Sequence, residues 1–297
     1  MIIGIFSIRH HRYHPNRRLL EAAKELGHRA ILVNPKKIFL TVHDGGFRID
    51  HLDRPFQVDV ILPRMGSTIK EYPLTVLRHF ELLGVRLINN YDAIMLARNK
   101  FLTLQGLSGN GIPIPESRYI SNWSNFIGAV SEFGGYPLIM KTASGRQGEG
   151  VFLVESMDRA RSLFEALLNR GEGLLLQRYI PPEKRRDIRA FVAGDVMIGA
   201  MSLTPRKGDF RANVHLHART ETIPYDKKIE ALAVKSTRAL GLDISGVDMI
   251  EERTGIFRVV DVNYSPGFRG LEKCTGVDVA SEIIQFVVSS AGKVRCR

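Results

Sequence analysis

The stretch that decides the fold is residues 246–267, GVDMIEERTGIFRVVDVNYSPG. Two β-branched runs, 246–250 and 256–263, flank a polar turn, a pattern that predicts a β-hairpin. Side chains alternate along a strand, so Asp261 and Asn263 project from one face. Asp248, on the neighbouring strand, reaches the same face. Three oxygen donors with no His or Cys suit a hard cation, Mg²⁺ or Mn²⁺, which keeps ligand positions for phosphate and water. Asp and Asn also simply mark strand ends. Against that, charged groups inside the apolar run VVDVN require buried partners.

Working outward, residues 1–7 form a short apolar strand, 16–26 an amphipathic helix closed by Gly27, and 30–33 a second strand. That order predicts a small parallel α/β unit. No G-x-G-x-x-G follows the first strand, so a dinucleotide site is unsupported. A hairpin over 39–49 turns at Asp44-Gly45-Gly46, and a strand (58–62), a helix (72–83) and a strand (87–90) complete a first domain over residues 1–95. One helix over 93–109 leads into a Pro-punctuated connection at 111–117. A central domain over residues 96–180 follows, with helices at 122–133 and 158–169 and strands at 137–142, 151–155 and 174–179. Residues 181–297 alternate strands with two helices, 226–240 and 277–290. The fold class is therefore α/β (α+β).

A formal net charge of +11 calls for an anionic partner: nucleic acid, nucleotide phosphates or an acidic substrate. No basic stripe interleaved with aromatics, RNP-like motif or zinc finger is present, which disfavours nucleic acid. No apolar run approaches the ~20 residues that span a bilayer. The N-terminus has its apolar residues before its charges, the reverse of a signal peptide. Cys274 and Cys296 make neither a disulfide framework nor a zinc site. The expectation is a cytoplasmic protein without a membrane partner.

Lys141 ends the strand PLIMK immediately before the glycine-rich loop SGRQGEG (144–150). A strand-end lysine beside a loop rich in backbone N–H groups is a phosphate-handling arrangement, although an exposed lysine on a surface hairpin has the same pattern. Asp187 and Arg189 share a face of DIRAFV and either pair with each other or hold a ribose hydroxyl and an anionic group. Arg206, Lys207, Arg211 and Asn213 crowd one short loop, either solvated or forming a clamp on transferring phosphate.

These residues stand in an order that resembles the ATP-grasp superfamily, specifically RimK-type ribosomal-protein glutamate ligases, over essentially the full length. The motifs are PRMG (63–66), RNK (98–100), K-x(6)-G-x-G (141–150), QRYI (177–180), DIR (187–189), GDFRAN (208–213), GVD (246–248), DVNYSPG (261–267) and GLEKCTGVDVA (270–280). The resemblance implies an ATP-grasp fold of three domains, a Rossmann-like N-terminal unit first, with ATP held between the central and C-terminal ones. It implies that Lys100 and Lys141 belong to the nucleotide site, Lys141 on the phosphates, and that Ser144, Gly145, Gly148 and Gly150 close over them. Gln177, Arg178, Tyr179 and Ile180 belong to the adenine edge and Asp187 to the ribose. Arg211 and Asn213 approach the phosphates. Lys141, Arg189, Arg206 and Arg211 are the expected catalytic cations, and Asp248, Asp261 and Asn263 the ligands of one or two Mg²⁺ (or Mn²⁺) ions. Arg64 is placed facing the substrate.

The implied reaction joins a carboxylate to an amine through an acyl phosphate, adding glutamate to a protein or small-molecule acceptor. The implied partners are ATP, an amino acid (glutamate first) and an amine or carboxylate acceptor, with an acidic one such as a ribosomal protein or peptide among the candidates, and the implied assembly is a homotetramer. A ligase using another amino acid, and an ATP-binding regulator without turnover, are the alternatives. The sequence departs from the family pattern at Arg178 and Asp261, where glutamate is usual. It departs again at Leu203-Thr204, in place of an arginine, and at His217-Ala218, in place of a glycine pair. Asp261 is one methylene shorter than glutamate, which puts the second ion in question.

Overall fold

The computed structural model describes residues 1–51, 57–66, 69–143, 145, 150–168, 173–212, 218–253 and 255–292. The chain begins with β1 (Ile2–Phe6), α1 (His14–Glu25), β2 (Arg29–Val33), the hairpin β3 (Ile38–His43) and β4 (Gly46–His51), β5 (Val60–Pro63), α2 (Glu71–Leu82) and β6 (Arg86–Leu87). Four of these strands make a parallel sheet in the order β2-β1-β5-β6. β1 is apolar at every position because both faces of a parallel sheet are covered. One cover is α1, whose Leu19, Ala22 and Ala23 recur at helical spacing and are wholly buried.

Next come α3 (Tyr91–Ala97) and α4 (Lys100–Gly109) where the sequence predicts one continuous helix. The break is at Asn99, which leaves the helical region. Its side-chain oxygen accepts from the N–H groups of Phe101 (2.9 Å) and Leu102 (3.1 Å), so α4 restarts on a side-chain cap. β7 (Ser117–Ile120), α5 (Trp123–Glu132), β8 (Leu138–Thr142), β9 (Val151–Val154), α6 (Met157–Leu168) and β10 (Leu174–Arg178) follow. They build an antiparallel sheet, order β7-β10-β8-β9, with a core of its own around Phe126, Met140, Phe164 and Leu176. β7 carries too little alternation to stand out in the sequence; it exists because β10 offers it an edge.

The remainder is β11 (Arg186–Ala193), β12 (Val196–Thr204), β13 (Arg219–Thr222), α7 (Lys227–Ala239), β14 (Ile244–Arg253), β15 (Ile256–Asn263), α8 (Arg269–Thr275) and α9 (Val279–Ala291). Its five strands pair antiparallel in the order β13-β12-β11-β14-β15. The hairpin that opens the sequence argument is β14–β15, with β14 running on to Arg253. α8 is a short turn of helix not expected from the sequence, ended by Gly276 at φ +74° in the left-handed region.

The first and last sheets share their hydrophobic interior. Ile3, Ile5, Leu19 and Val60 pack in one cluster with Phe191, Phe268, Ile283 and Val287. Burial of each such side chain contributes about 1.5–3 kcal/mol. Asn89, buried between the two, donates to the carbonyls of Ile244 (2.7 Å) and Tyr264 (2.8 Å) and accepts from the N–H groups of Asp243 (2.6 Å) and Ile244 (2.7 Å). The central sheet stands on its own core, and a cleft runs between it and the last sheet. No helix among the described residues is long and apolar enough to cross a membrane.

Candidate functional site

The cleft is a cavity of about 710 Å³. One wall is a face of the last sheet. Strand register places Arg189 of β11 beside Asp248 of β14, and Asp248 beside Asp261 of β15, so three charged side chains form a row across adjacent strands. A bulge at Val260 follows Asp261 in the pairing, and Asn263 sits two residues beyond Asp261 on the same cavity wall. The opposite wall is the central sheet, where Lys141 and Ile139 of β8 and Gln177 of β10 face the cavity.

Arg189 grips Asp248 with two hydrogen bonds of 2.6 Å, Nε to Oδ1 and Nη2 to Oδ2. The sequence leaves open a pairing of Arg189 with Asp187, and the structure corrects it. Residues two apart on a strand are farther from each other than direct cross-strand neighbours, so the register partner Asp248 captures the guanidinium. Burial opposes charge on Arg189, but the Asp248 carboxylate outweighs it and raises the pKa. Asp187 instead receives Arg185, whose Nε lies 3.1 and 3.0 Å from its oxygens. Burial raises the Asp187 pKa, with Arg185 pulling the other way. Arg185 also donates to the carbonyls of Ile180 and Phe210 and so ties the segment that leaves β10 to the loop after β12.

Lys100, the first residue of α4, ties the two walls together. Its N–H donates to the Ala143 carbonyl at the end of β8 (2.9 Å), and its ammonium donates to Asp261 Oδ2 (2.9 Å). Burial works against the Asp261 charge, yet Lys100 and then Lys141 hold its pKa below the ordinary carboxylate value. Lys141 donates to Gln177 Oε1, and Gln177 Nε2 donates to Ser117 Oγ (2.9 Å). Burial, reinforced by nearby Lys100, pushes the Lys141 pKa down to about 8. An ammonium held this way lacks a full counter-charge, and a polyphosphate supplies one.

Of the residues expected from the sequence, Lys100, Lys141, Gly145, Gln177, Arg178, Ile180, Asp187, Arg189, Arg211, Asp248, Asp261 and Asn263 line this one cavity. Arg211 is held by Asp209 through Nε to Oδ1 (3.1 Å) and Nη2 to Oδ2 (3.0 Å). Tyr179 stands edge-on to Phe210, with ring centroids 6.2 Å apart, and is not in the lining. Arg206 is exposed in a turn and also lies outside the lining, as does Gly150, whose φ of +77° reverses the chain into β9. Ser144, Gly148 and Asn213 fall outside the described residues, as do His217 and Cys296. Arg185, which holds Asp187 and lines the cavity, is the residue that sequence reasoning passes over. Its signal was the basic run 184–186 directly before Asp187.

The donor set matches a hard cation in part. Among the described residues no group of three or more His, Cys, Asp or Glu side chains could hold a metal. Asp248, Asp261 and Asn263 offer two carboxylates and an amide, which fits an ion that completes its shell with phosphate oxygens and water rather than an all-protein cage.

Comparison with known proteins gives concordant results. Residues 1–94 match the RimK PreATP-grasp domain and residues 97–287 the RimK-like ATP-grasp domain. Over 272 residues the chain is 36% identical to the "Probable alpha-L-glutamate ligase" of Stenotrophomonas maltophilia (strain K279a), covering 91% of this chain and 93% of that one. The solved structure of a RimK domain protein ATP-grasp from Sphaerobacter thermophilus DSM 20745 aligns with a TM-score of 0.75 at 26% identity, covering 96% of this chain and 99% of that one. D-alanine–D-alanine ligase from Bacillus anthracis complexed with ATP shares the fold at 16% identity, with a TM-score of 0.69 over 98% of this chain and 97% of that one.

Proposed function

The chain belongs to the RimK-like ATP-grasp family and is an ATP-grasp ligase, and from that premise we propose that it couples ATP cleavage to addition of L-glutamate onto a protein or small-molecule acceptor. The observation that carries the proposal is the row Arg189–Asp248–Asp261 facing Lys141, with Lys100 joining the two walls. Cations for a polyphosphate and oxygen donors for a divalent ion meet in one cavity, between sheets that belong to different parts of the chain. Family membership supplies the choice of glutamate, by way of relatives so named.

In the proposed reaction an oxygen of the substrate carboxylate attacks the γ-phosphorus of ATP, and the bond to ADP breaks. The resulting acyl phosphate is attacked at carbon by an amine, which loses a proton, and inorganic phosphate leaves with the C–O bonding pair. No side-chain nucleophile is required. Lys141, Lys100 and Arg189 position the phosphates and oppose their charge; Asp187, steadied by Arg185, takes the ribose; Arg178 and Ile180 line the adenine edge. Asp248, Asp261 and Asn263 would hold Mg²⁺ (or Mn²⁺), one or two ions, which supplies charge neutralisation at the transferring phosphoryl group when bound. Arg211 reaches the phosphates by exchanging Asp209 for them.

The division into residues 1–95, 96–180 and 181–297, a cytoplasmic location, a tetrameric assembly and a ribosomal or other peptide acceptor belong to the same proposal. The test is phosphate release from Mg-ATP by the purified protein, with each amino acid in turn, plus and minus extract peptides. Release that depends on glutamate and disappears in Lys141→Ala is the expected result. Release with a different amino acid replaces glutamate. Nucleotide binding with no release in any mixture overturns the ligase activity in favour of an ATP-binding regulator.

A further inference from the structure

The nucleotide cleft is one end of the cavity, and the other end lies at the carboxyl edge of the first sheet. In the order β2-β1-β5-β6 the chain leaves β1 toward β2, and the next strand of the sheet, β5, pairs on the other side of β1. The crevice between the loops after β1 and β5 is therefore the switch point at which open parallel sheets hold ligands. Ile8, Arg9 and Tyr13, from the loop after β1, line the cavity there. Every residue from 8 to 13 is exposed, and exposed loops are ordinarily the mobile part of a fold. This loop is instead held from beneath.

What holds it is Asn16, a wholly buried polar residue in the first turn of α1. Its Nδ2 donates to Ser7 Oγ (3.2 Å) and to the carbonyls of Arg9 (3.0 Å) and His10 (3.2 Å). Two of these partners are carbonyls, which only accept, so the amide is fixed with its nitrogen toward the loop. Its Oδ1 is left buried without a hydrogen-bond partner. An orphaned acceptor destabilises, and alanine is the better helix former at such a position. Neither burial nor the helix therefore accounts for an asparagine here, whereas the grip on the loop does. The loop adds bonds of its own. Ser7 Oγ also accepts from the Arg9 N–H (3.2 Å), the Tyr13 N–H donates to the His10 carbonyl (3.1 Å), and the Arg9 guanidinium lies 5.7 Å from the Tyr13 ring centroid.

α1 in turn is braced on the last part of the chain. Arg18 Nη2 meets Asp278 Oδ1 (2.7 Å), His14 Nε2 lies 3.3 Å from Glu272 Oε2, and Leu19 shares its apolar cluster with Phe268 and Ile283. Glu272 belongs to α8, which follows the cavity-lining residues 265–267. Asn16 thus hangs the loop after β1 from a helix fixed to the last sheet's side of the cavity. The loop after β5 is tied to that side directly, by Arg64 Nη2 to the Pro266 carbonyl (2.6 Å) and the Tyr264 hydroxyl to the Gly66 carbonyl (2.7 Å). We propose that Asn16 is a positioning residue for the substrate that is not the nucleotide. It sets where Ile8, Arg9 and Tyr13 stand relative to the phosphoryl-transfer centre, and, being absent from the cavity lining, acts only through the loop. The identity of the substrate rests on the ligase reading; the clamp on the loop does not.

The test compares the full chain with its Asn16→Ala and Asn16→Ser variants. Hydrogen exchange read by mass spectrometry reports the clamp, and phosphate release from Mg-ATP with varied amino acid or extract peptide reports its consequence. In Asn16→Ala the amides of residues 8–13 are expected to exchange about tenfold faster, with β1 and the rest of α1 unchanged. The KM of the substrate that stimulates release should rise about tenfold to a hundredfold, while the KM for ATP stays within about twofold of wild type. Asn16→Ser, which keeps one donor on a shorter arm, should fall between on both readouts. Unchanged exchange at residues 8–13 overturns the clamp. A loosened loop with an unchanged substrate KM overturns the positioning role. So does a fall in melting temperature that raises both KM values alike, the mark of a merely structural residue. Absence of phosphate release from wild type in every mixture sinks the ligase reading and with it the choice of substrate, while accelerated exchange in Asn16→Ala leaves the clamped loop standing.

Discussion

Lys141 gives the sharpest expectation, because its environment translates directly into a pH dependence. In the nucleotide-free protein burial and Lys100 push its pKa down to about 8. A bound diphosphate restores the missing counter-charge and raises that pKa, so nucleotide binds the protonated form more tightly. If the complex stays protonated through pH 9, the apparent Kd grows with the deprotonated fraction of the free protein. It should therefore be about tenfold weaker at pH 9 than at pH 7. The assay is ADP binding by calorimetry at constant ionic strength across that range, with Lys141→Met alongside. The variant should bind weakly and lose the tenfold slope.

The sign for stability follows from the same shift. A lysine whose folded-state pKa lies below its unfolded value of 10.5 binds fewer protons folded than unfolded between pH 8 and 10.5, so stability rises with pH over that window. Any stability advantage of nucleotide-free Lys141→Met over wild type should accordingly shrink as pH is raised from 8 to 10.5. A flat Kd between pH 7 and 9, or an undiminished slope in Lys141→Met, would refute the assignment of Lys141 to the phosphates.

Asp261→Asn removes the carboxylate that Lys100 bonds and whose charge acts on Lys141, and should abolish phosphate release while costing about 1–3 kcal/mol in urea denaturation, since solvent still reaches both side chains of the pair it breaks. Asn89→Ala strips four hydrogen bonds from the junction of the first and last sheets and strands buried backbone groups of Asp243, Ile244 and Tyr264. A loss of about 2–4 kcal/mol is expected by the same measurement, and a loss below about 0.5 kcal/mol would show that the junction rests on apolar packing alone. Phe126→Ala empties the centre of the core that belongs to the central sheet, where Phe126 stacks on Trp123 at 4.8 Å. It should cost about 3–5 kcal/mol locally, with amide exchange accelerating in β7–β10 while β1 and β11 stay protected.

The division between what sequence and tertiary structure each decide is visible residue by residue. The hairpin from Ile244 to Asn263 follows from local rules: β-branched runs alternate, Gly255 permits the reversal at φ +84°, and strand period alone puts Asp261 and Asn263 on one face. The ordered motifs from PRMG to GLEKCTGVDVA likewise sufficed to name the family, because each keeps its residue types at fixed local spacing. What local spacing does not carry is which charge meets which. Arg189 stands two residues from Asp187 in the sequence and pairs with Asp248, 59 residues away, because register, not proximity along the chain, sets side-chain distance in a sheet. Lys100 reaches Asp261 across 161 residues, and Arg64 reaches Pro266 across 202. The break at Asn99, the strand β7 and the helix α8 were missed for a related reason, since a cap, a waiting edge and a packed neighbour override weak propensity. Periodicity determined most of the elements, and the ordered motifs, through the family they resemble, pointed to the kind of chemistry. Only the assembled sheets decided that the cations of one wall face the carboxylates of the other, since burial in a common cavity is a property of the packing and not of any single segment.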